Sequence, residues 1–189
     1  MIDVAPLTAE QFALREDFDE RRWTELIAGK LVQLEPPDLT HGRIVLNFSK
    51  AIAGHAQERG DANDGYACFE LGLIVSRDPD TVRCPAISYF SGGPRFAELD
   101  RVVTETRPAL VIEVASSADR RRNAAARVES YLRWGVRLVW LADPVEKQIH
   151  VFVEGGSGKR LSERQALEGG AVLPGFRVFV SDIFAEPNP

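Results

Sequence analysis

A chain of 189 residues, 44% hydrophobic and 27% charged, is the size and composition of one folded globular domain, and it has no window of about 18 apolar residues with which to span a membrane. A net charge of −5 excludes a protein that coats nucleic acid over its whole surface, while leaving room for a local basic site. Two cysteines, Cys68 and Cys84, are too few for a disulfide framework or a thiolate zinc site, and the acidic N-terminal segment is unlike a signal peptide, so the expected location is cytoplasmic.

In chain order, the spacing of Thr8 and Gln11 is that of a capping box and predicts a short helix to about Arg15, within a helical N-terminal extension covering residues 1–23. TELIAGKLVQLE, residues 24–35, reads as a hairpin turning at Ala28-Gly29, with Glu25 on its first arm. After Pro36-Pro37, Ile44, Phe48, Ile52 and Ala56 recur every four residues, which predicts a helix over roughly 40–58 that packs one apolar stripe on a sheet. YACFELGLIVS and TVRCPAISYF flank the turn residues 77–80 and read as a second hairpin.

PALVIEVASSAD, residues 108–119, is apolar on both faces and reads as a central strand, with Glu113 in its middle. The helix that follows presents Ala124, Val128, Tyr131 and Leu132 on one face and stops at Gly135; VRLVWLADP is then a buried strand, so the three elements form a right-handed βαβ unit with parallel strands. QIHVFVE alternates as a strand, and VLPGFRVFVSDIF reads as an edge strand with a terminal turn of helix. The whole is an α/β chain, expected as a single domain over 1–189, with a central mixed sheet of hairpins and one βαβ unit flanked by helices.

Glu113 cannot stay charged inside so apolar a run without a cation or strong donors. Its role is either a structural ion pair or a metal-ligand or acid/base function at the carboxyl end of a parallel strand, where open α/β sheets place their sites. Arg127 is the best-placed cation, because its stem borders the apolar face of its helix; Arg120 lies two turns earlier on the same face, whereas Arg121 and Arg122 point elsewhere. The arginine-rich helix is either a solvated face or a nucleic-acid contact. Trp23, Trp134 and Trp140 lie in or beside apolar runs and read as core or interface aromatics.

TELIAGKLVQLEPP with THGRI, then RCPAISYF, PALVIEVASSAD, and RVESYLRWGVRLVWLADP with LPGF together resemble the Uma2 family of restriction-endonuclease-like proteins, over about residues 24–184. The resemblance implies the PD-(D/E)XK nuclease fold, magnesium- or manganese-dependent phosphodiester hydrolysis of nucleic acid, chiefly DNA, and a homodimer. Matched by position, Glu25 is the family's first glutamate and Glu113 its strand glutamate, so these two would be the catalytic and metal-binding carboxylates. Ala86 stands where the family has its metal-binding aspartate, and Arg127 where it has a lysine. His41, in THGRI, matches a position often filled by histidine; it reads either as a helix-entry residue or, with Arg120 and Arg127, as a nucleic-acid contact.

Alanine offers a metal no ligand, and arginine stays protonated and cannot act as a general base. The reading that follows is a nuclease-like protein with a degenerate site, or an inactive DNA- or protein-binding module on the same fold. Glu70 or Asp38 replacing the lost ligand, or Ser88 holding a metal-bound water, would restore a site.

Overall fold

The computed structural model describes residues 5–15, 23–59 and 65–186; the remaining residues of the expected N-terminal extension lie outside these. Two sheets share the strands. A five-stranded sheet has the order β2-β1-β5-β4-β7, and a six-stranded sheet the order β11-β10-β9-β8-β6-β3. Their strands are β1 (Thr24–Ile27), β2 (Lys30–Gln33), β3 (Tyr66–Phe69), β4 (Gly72–Ser76), β5 (Thr81–Arg83), β6 (Ile87–Phe90), β7 (Val103–Thr104), β8 (Leu110–Val114), β9 (Leu138–Asp143), β10 (Gln148–Val153) and β11 (Lys159–Leu161). β12 (Ala166–Gly169) and β13 (Leu173–Phe179) form a separate ribbon, and the helices are α1 (Ala9–Ala13), α2 (Leu39–Arg59), α3 (Ala118–Trp134) and α4 (Val180–Phe184).

The local signals act as their chemistry requires. Thr8 and Gln11 exchange both bonds of the capping box at the start of α1. Ala28 and Gly29 turn the first hairpin with φ of 49° and 72°, the left-handed pair a two-residue hairpin loop needs. A Cβ on Gly29 would lie 2.2 Å from that of Pro6, so packing as well as backbone conformation requires glycine there. Gly135, at φ 94°, closes α3: its N–H reaches the Leu132 carbonyl and the Val136 N–H the Tyr131 carbonyl, a Schellman ending. β8, α3 and β9 form the expected βαβ unit, with Leu110 to Val114 paired in parallel with Leu138 to Ala142.

The second hairpin needs correction. Its two runs do lie antiparallel, but each breaks in the middle, so that β4 and β5 pair in the five-stranded sheet and β3 and β6 in the six-stranded one. Glu70, at φ 52°, bends the first run, and Cys84-Pro85-Ala86 interrupts the second, because proline has no N–H to continue a ladder. Periodicity could not reveal this: apolar residues continue through both breaks and serve two different sheets. RCPAISYF is therefore not one strand, and Cys84 and Ala86 lie at the junction between the sheets.

Helices cover the sheets from both sides. α2 packs Ile44, Phe48 and Ile52 against Ile87, Ile112 and Trp140 on one face of the six-stranded sheet, together with the ribbon and α4. Trp140 is fully buried, stacked on Phe48 at 5.9 Å and tilted against Phe176 at 5.4 Å, as a core aromatic. α3 packs Val128 and Tyr131 on the opposite face against Val111 and Val139, and meets Leu73 and Val75 of β4 in the other sheet. α1 covers the far side of the five-stranded sheet through Phe12, Leu26, Ile74 and Val82. α3 thus spans both sheets where they diverge. No helix among the described residues is long and apolar enough to cross a membrane.

Candidate active site

Strand alternation sends Leu26 toward α1, so Glu25 next to it faces α3. Alternation likewise sends Ile112 and Val114 toward α2, so Glu113 also faces α3. One carboxylate comes from each sheet. The inner stripe of α3, Arg120, Ala124, Arg127, Val128 and Tyr131, lies above them.

Arg127 joins the two. Its Nε and Nη2 donate to Oε1 of Glu113 at 3.0 and 2.7 Å, and its Nη1 donates to Oε1 of Glu25 at 2.6 Å. Nη2 also reaches the Cys84 carbonyl at 3.2 Å, while the Cys84 N–H donates to Oε1 of Glu25 at 2.7 Å. The junction between the sheets is therefore tied into the cluster by both of its backbone groups. Arg83, on the same strand face, donates from Nη1 to Oε2 of Glu25 at 2.9 Å, and the Tyr131 hydroxyl donates to Oε1 of Glu113 at 2.6 Å. Glu25, Glu113 and Arg127 are all buried.

The charges are matched as well as the hydrogen bonds. Burial pushes the Glu25 carboxyl up, but Arg127, Arg83 and the Cys84 N–H outweigh it and hold the group below the ordinary carboxylate value. Burial opposes the charge of Arg127 too, and Glu113 and Glu25 more than compensate, so its pKa lies well above the ordinary value. Burial and the adjacent Glu113 carboxylate keep the Tyr131 phenol protonated well beyond its usual range.

The structure thus brings Glu25, Glu113 and Arg127 together. The β6–β8 ladder begins at Ile87 paired with Ile112, so Ala86 lies just before it, and its methyl packs with the core on the α2 side, away from the α3 face that holds the Glu113 carboxylate. His41 and Arg120 lie at the margin. His41 is buried in the first turn of α2, its N–H donates to Asp38 Oδ1 at 2.7 Å, and its Nδ1 is 3.3 Å from the Ser116 hydroxyl oxygen. Burial chiefly, then Arg120 and Arg127 against the opposing pull of Asp38, lowers its pKa to about 4. His41 is neutral at physiological pH and is both the helix-entry residue and a neighbour of the cluster.

A magnesium ion needs a near-octahedral set of oxygens with free lone pairs, usually one or two carboxylates besides water and phosphate. The donors here do not fit. Both oxygens of Glu25 and Oε1 of Glu113 accept bonds from protein donors, position 86 supplies no oxygen, and a guanidinium lies between the carboxylates. Among the described residues no three His, Cys, Asp or Glu side chains converge as a metal-binding group. Asp38 is engaged with the backbone of α2, Glu70 lies in the β3–β4 bend near Cys84, and the Ser88 hydroxyl is fully buried without a hydrogen-bond partner among the described residues.

Tyr131, Arg83 and Ser116 belong to the constellation, yet nothing in the sequence assigns them a role there. Tyr131 reads as one more apolar position on the α3 stripe; the signal in the sequence is its place four residues after Arg127, one turn along the same face. Arg83 becomes visible only once β1 and β5 are known to pair, through Leu26 and Val82.

Comparisons with known proteins agree with this architecture. Residues 9–184 match the Uma2 family, described as "Putative restriction endonuclease". A solved structure described as a putative nuclease belonging to DUF820 from Anabaena variabilis superposes with a TM-score of 0.76 at 19% identity, covering 95% of this chain and 98% of that one. At that identity the likeness establishes the fold, a mixed α/β restriction-endonuclease-like core. No curated protein matches the chain.

Proposed function

The chain belongs to the Uma2 family, and from that premise we propose that it is a nuclease-fold protein that engages nucleic acid but has exchanged its divalent-metal centre for an internal cation. One observation carries the reading: the Arg127 guanidinium bonds both Glu25 and Glu113, the carboxylates that would otherwise hold the metal. Ala86 supplies no carboxylate at the position where the family resemblance has its metal-binding aspartate.

The chemistry follows from what such catalysis demands. Metal-dependent phosphodiester hydrolysis needs an ion that polarises the phosphate and lowers the pKa of the attacking water. A guanidinium supplies charge but no open coordination position, and it neither takes up nor releases a proton at relevant pH. Glu113 and Glu25, paired with Arg127 and Arg83, then serve the fold, and the nucleic-acid contact falls to Arg120 and the neighbouring start of α3. The reading also includes a homodimer, which sedimentation at micromolar concentration would test.

Incubation of duplex and single-stranded DNA, and of RNA, with magnesium or manganese tests the central claim. Wild-type protein is expected to leave all substrates intact, and Ala86→Asp with Arg127→Lys to gain divalent-ion binding. Cleavage by the wild type that Glu113→Ala abolishes overturns the proposal.

A further inference from the structure

Arg120 stands apart from the matched charges around it. It is 8% exposed, yet no carboxylate lies within ion-pair distance of it among the described residues. Its only side-chain bond there is a long one, 3.4 Å from Nη2 to the Glu35 carbonyl. Nε is sealed off without a partner among the described residues. The acids around it are committed elsewhere. Arg127 and Arg83 share Glu25 and Glu113 between them, and Asp119, the preceding residue on α3, is held by Arg122 and Asn123.

A guanidinium removed from water without an anion is costly, and proteins that keep one generally supply its counter-charge. The surroundings suit an anion from outside. Arg120 lies in the first turn of α3, a 17-residue helix whose dipole favours negative charge at this end. Its own N–H is capped by Ser117 Oγ, and the Ser116 hydroxyl, 3.3 Å from His41 Nδ1 in the loop just ahead of the helix, has its proton available as a neutral donor when the His41 ring proton sits on Nδ1. The acidic residues beside this region are Asp38, exposed and bonded to the His41 N–H, and Glu35, exposed, whose carbonyl Arg120 reaches and whose carboxylate makes no ion pair with Arg120 among the described residues.

We infer that Arg120, with Ser116 and the start of α3, forms an anion subsite that takes one phosphate group, beside the Arg127 cluster. The phosphate comes either from a nucleic-acid backbone, which rests on the function proposed above, or from a free phosphate or nucleotide. The subsite differs from a catalytic centre, since it positions a phosphate without acting on it.

NMR of the Arg120 Nε–Hε group in the wild-type chain reads the site directly. Inorganic phosphate, titrated against chloride at equal ionic strength, is expected to shift this resonance saturably, and a short DNA duplex to shift it at far lower concentration. Arg120→Gln should weaken duplex binding roughly tenfold and flatten its salt dependence by about one phosphate contact, with Arg120→Lys recovering part of the loss. A resonance that responds equally to chloride, or to neither phosphate nor duplex, overturns the subsite. Duplex binding that leaves Arg120 unmoved also overturns it while preserving the nucleic-acid reading. Saturable phosphate binding without duplex binding supports the subsite and instead refutes that reading.

Discussion

Arg127 and Glu113 meet at a single oxygen: Nε and Nη2 of the guanidinium both reach Oε1 of the carboxylate, at 3.0 and 2.7 Å, and the Tyr131 hydroxyl reaches the same atom. The pair is buried and spans from the central parallel strand to the helix above it. Removing one partner leaves a charge uncompensated in the interior. Glu113→Gln is therefore expected to lower the unfolding free energy by about 3–5 kcal/mol in urea denaturation. Adding Arg127→Met should restore part of the loss, because Glu25 keeps Arg83 and the Cys84 N–H. A Glu113→Gln protein as stable as the wild type would exclude a folding role for the pair.

The legibility of this cluster differs from residue to residue. Glu113 is visible because a carboxylate interrupts an apolar strand, and Arg127 because helical spacing sets it beside the buried face. Glu25 needs the family resemblance, since alternation alone gives a hairpin carboxylate no reason to be buried. The division of strands between two sheets cannot be read at all: residues 66–76 and 81–90 look like continuous strands, and only the full set of pairings shows where each changes sheet. Arg83 is lost with that division, because its nearness to Glu25 depends on pairing across strands far apart in sequence. The lack of a counter-ion at Arg120 is a property of three-dimensional surroundings that no local pattern encodes.

The Tyr131 hydroxyl donates to a buried carboxylate, and a hydrogen bond to a charged group contributes about 1.5–3 kcal/mol. Tyr131→Phe should cost that much while leaving the Arg127 bonds in place. Ultraviolet titration supplies a second readout. The wild-type phenol, held protonated by burial and by Glu113, should ionise only as the protein unfolds in alkali. A phenol assigned to Tyr131 that titrates reversibly near its ordinary value would contradict this environment.

Acid should act on the protein through two groups in different windows. His41 has its pKa lowered from 6.5 to about 4, so between these values the unfolded chain binds a proton that the folded chain refuses. Stability consequently falls as pH drops across that window, by up to about 3 kcal/mol for such a shift. Glu25 has a folded pKa below its ordinary 4.5, so its contribution is complete above that value and is lost as pH falls through the folded value. His41→Gln should flatten the stability profile between pH 6.5 and 4 and leave the steeper loss below it. An unchanged slope in the upper window would show that His41 is not the group responsible.

Divalent metal should make little difference to the wild type. A ligand that binds only the folded state raises stability in proportion to the logarithm of one plus the ratio of its concentration to its dissociation constant, so magnesium at about 10 mM adds roughly 0.4 kcal/mol for a dissociation constant of the same size and about 2.7 kcal/mol for one a hundredfold tighter. With Arg127 between Glu25 and Glu113, a bound ion would have to displace a guanidinium that makes bonds of 2.6 and 2.7 Å to both. Opening those bonds would leave Arg127 buried beside a divalent cation, so repulsion adds to the lost ion pairs. Thermal denaturation with magnesium, manganese or a chelator is therefore expected to give the same midpoint for the wild type. Ala86→Asp with Arg127→Lys should differ, because an aspartate restores the carboxylate that the family resemblance assigns to this position and the lysine cannot bridge both carboxylates in the guanidinium's fork geometry. A midpoint that rises with metal only in the double variant fits displacement of the metal by Arg127. A rise of several degrees in the wild type would show instead that the carboxylates remain available to an ion.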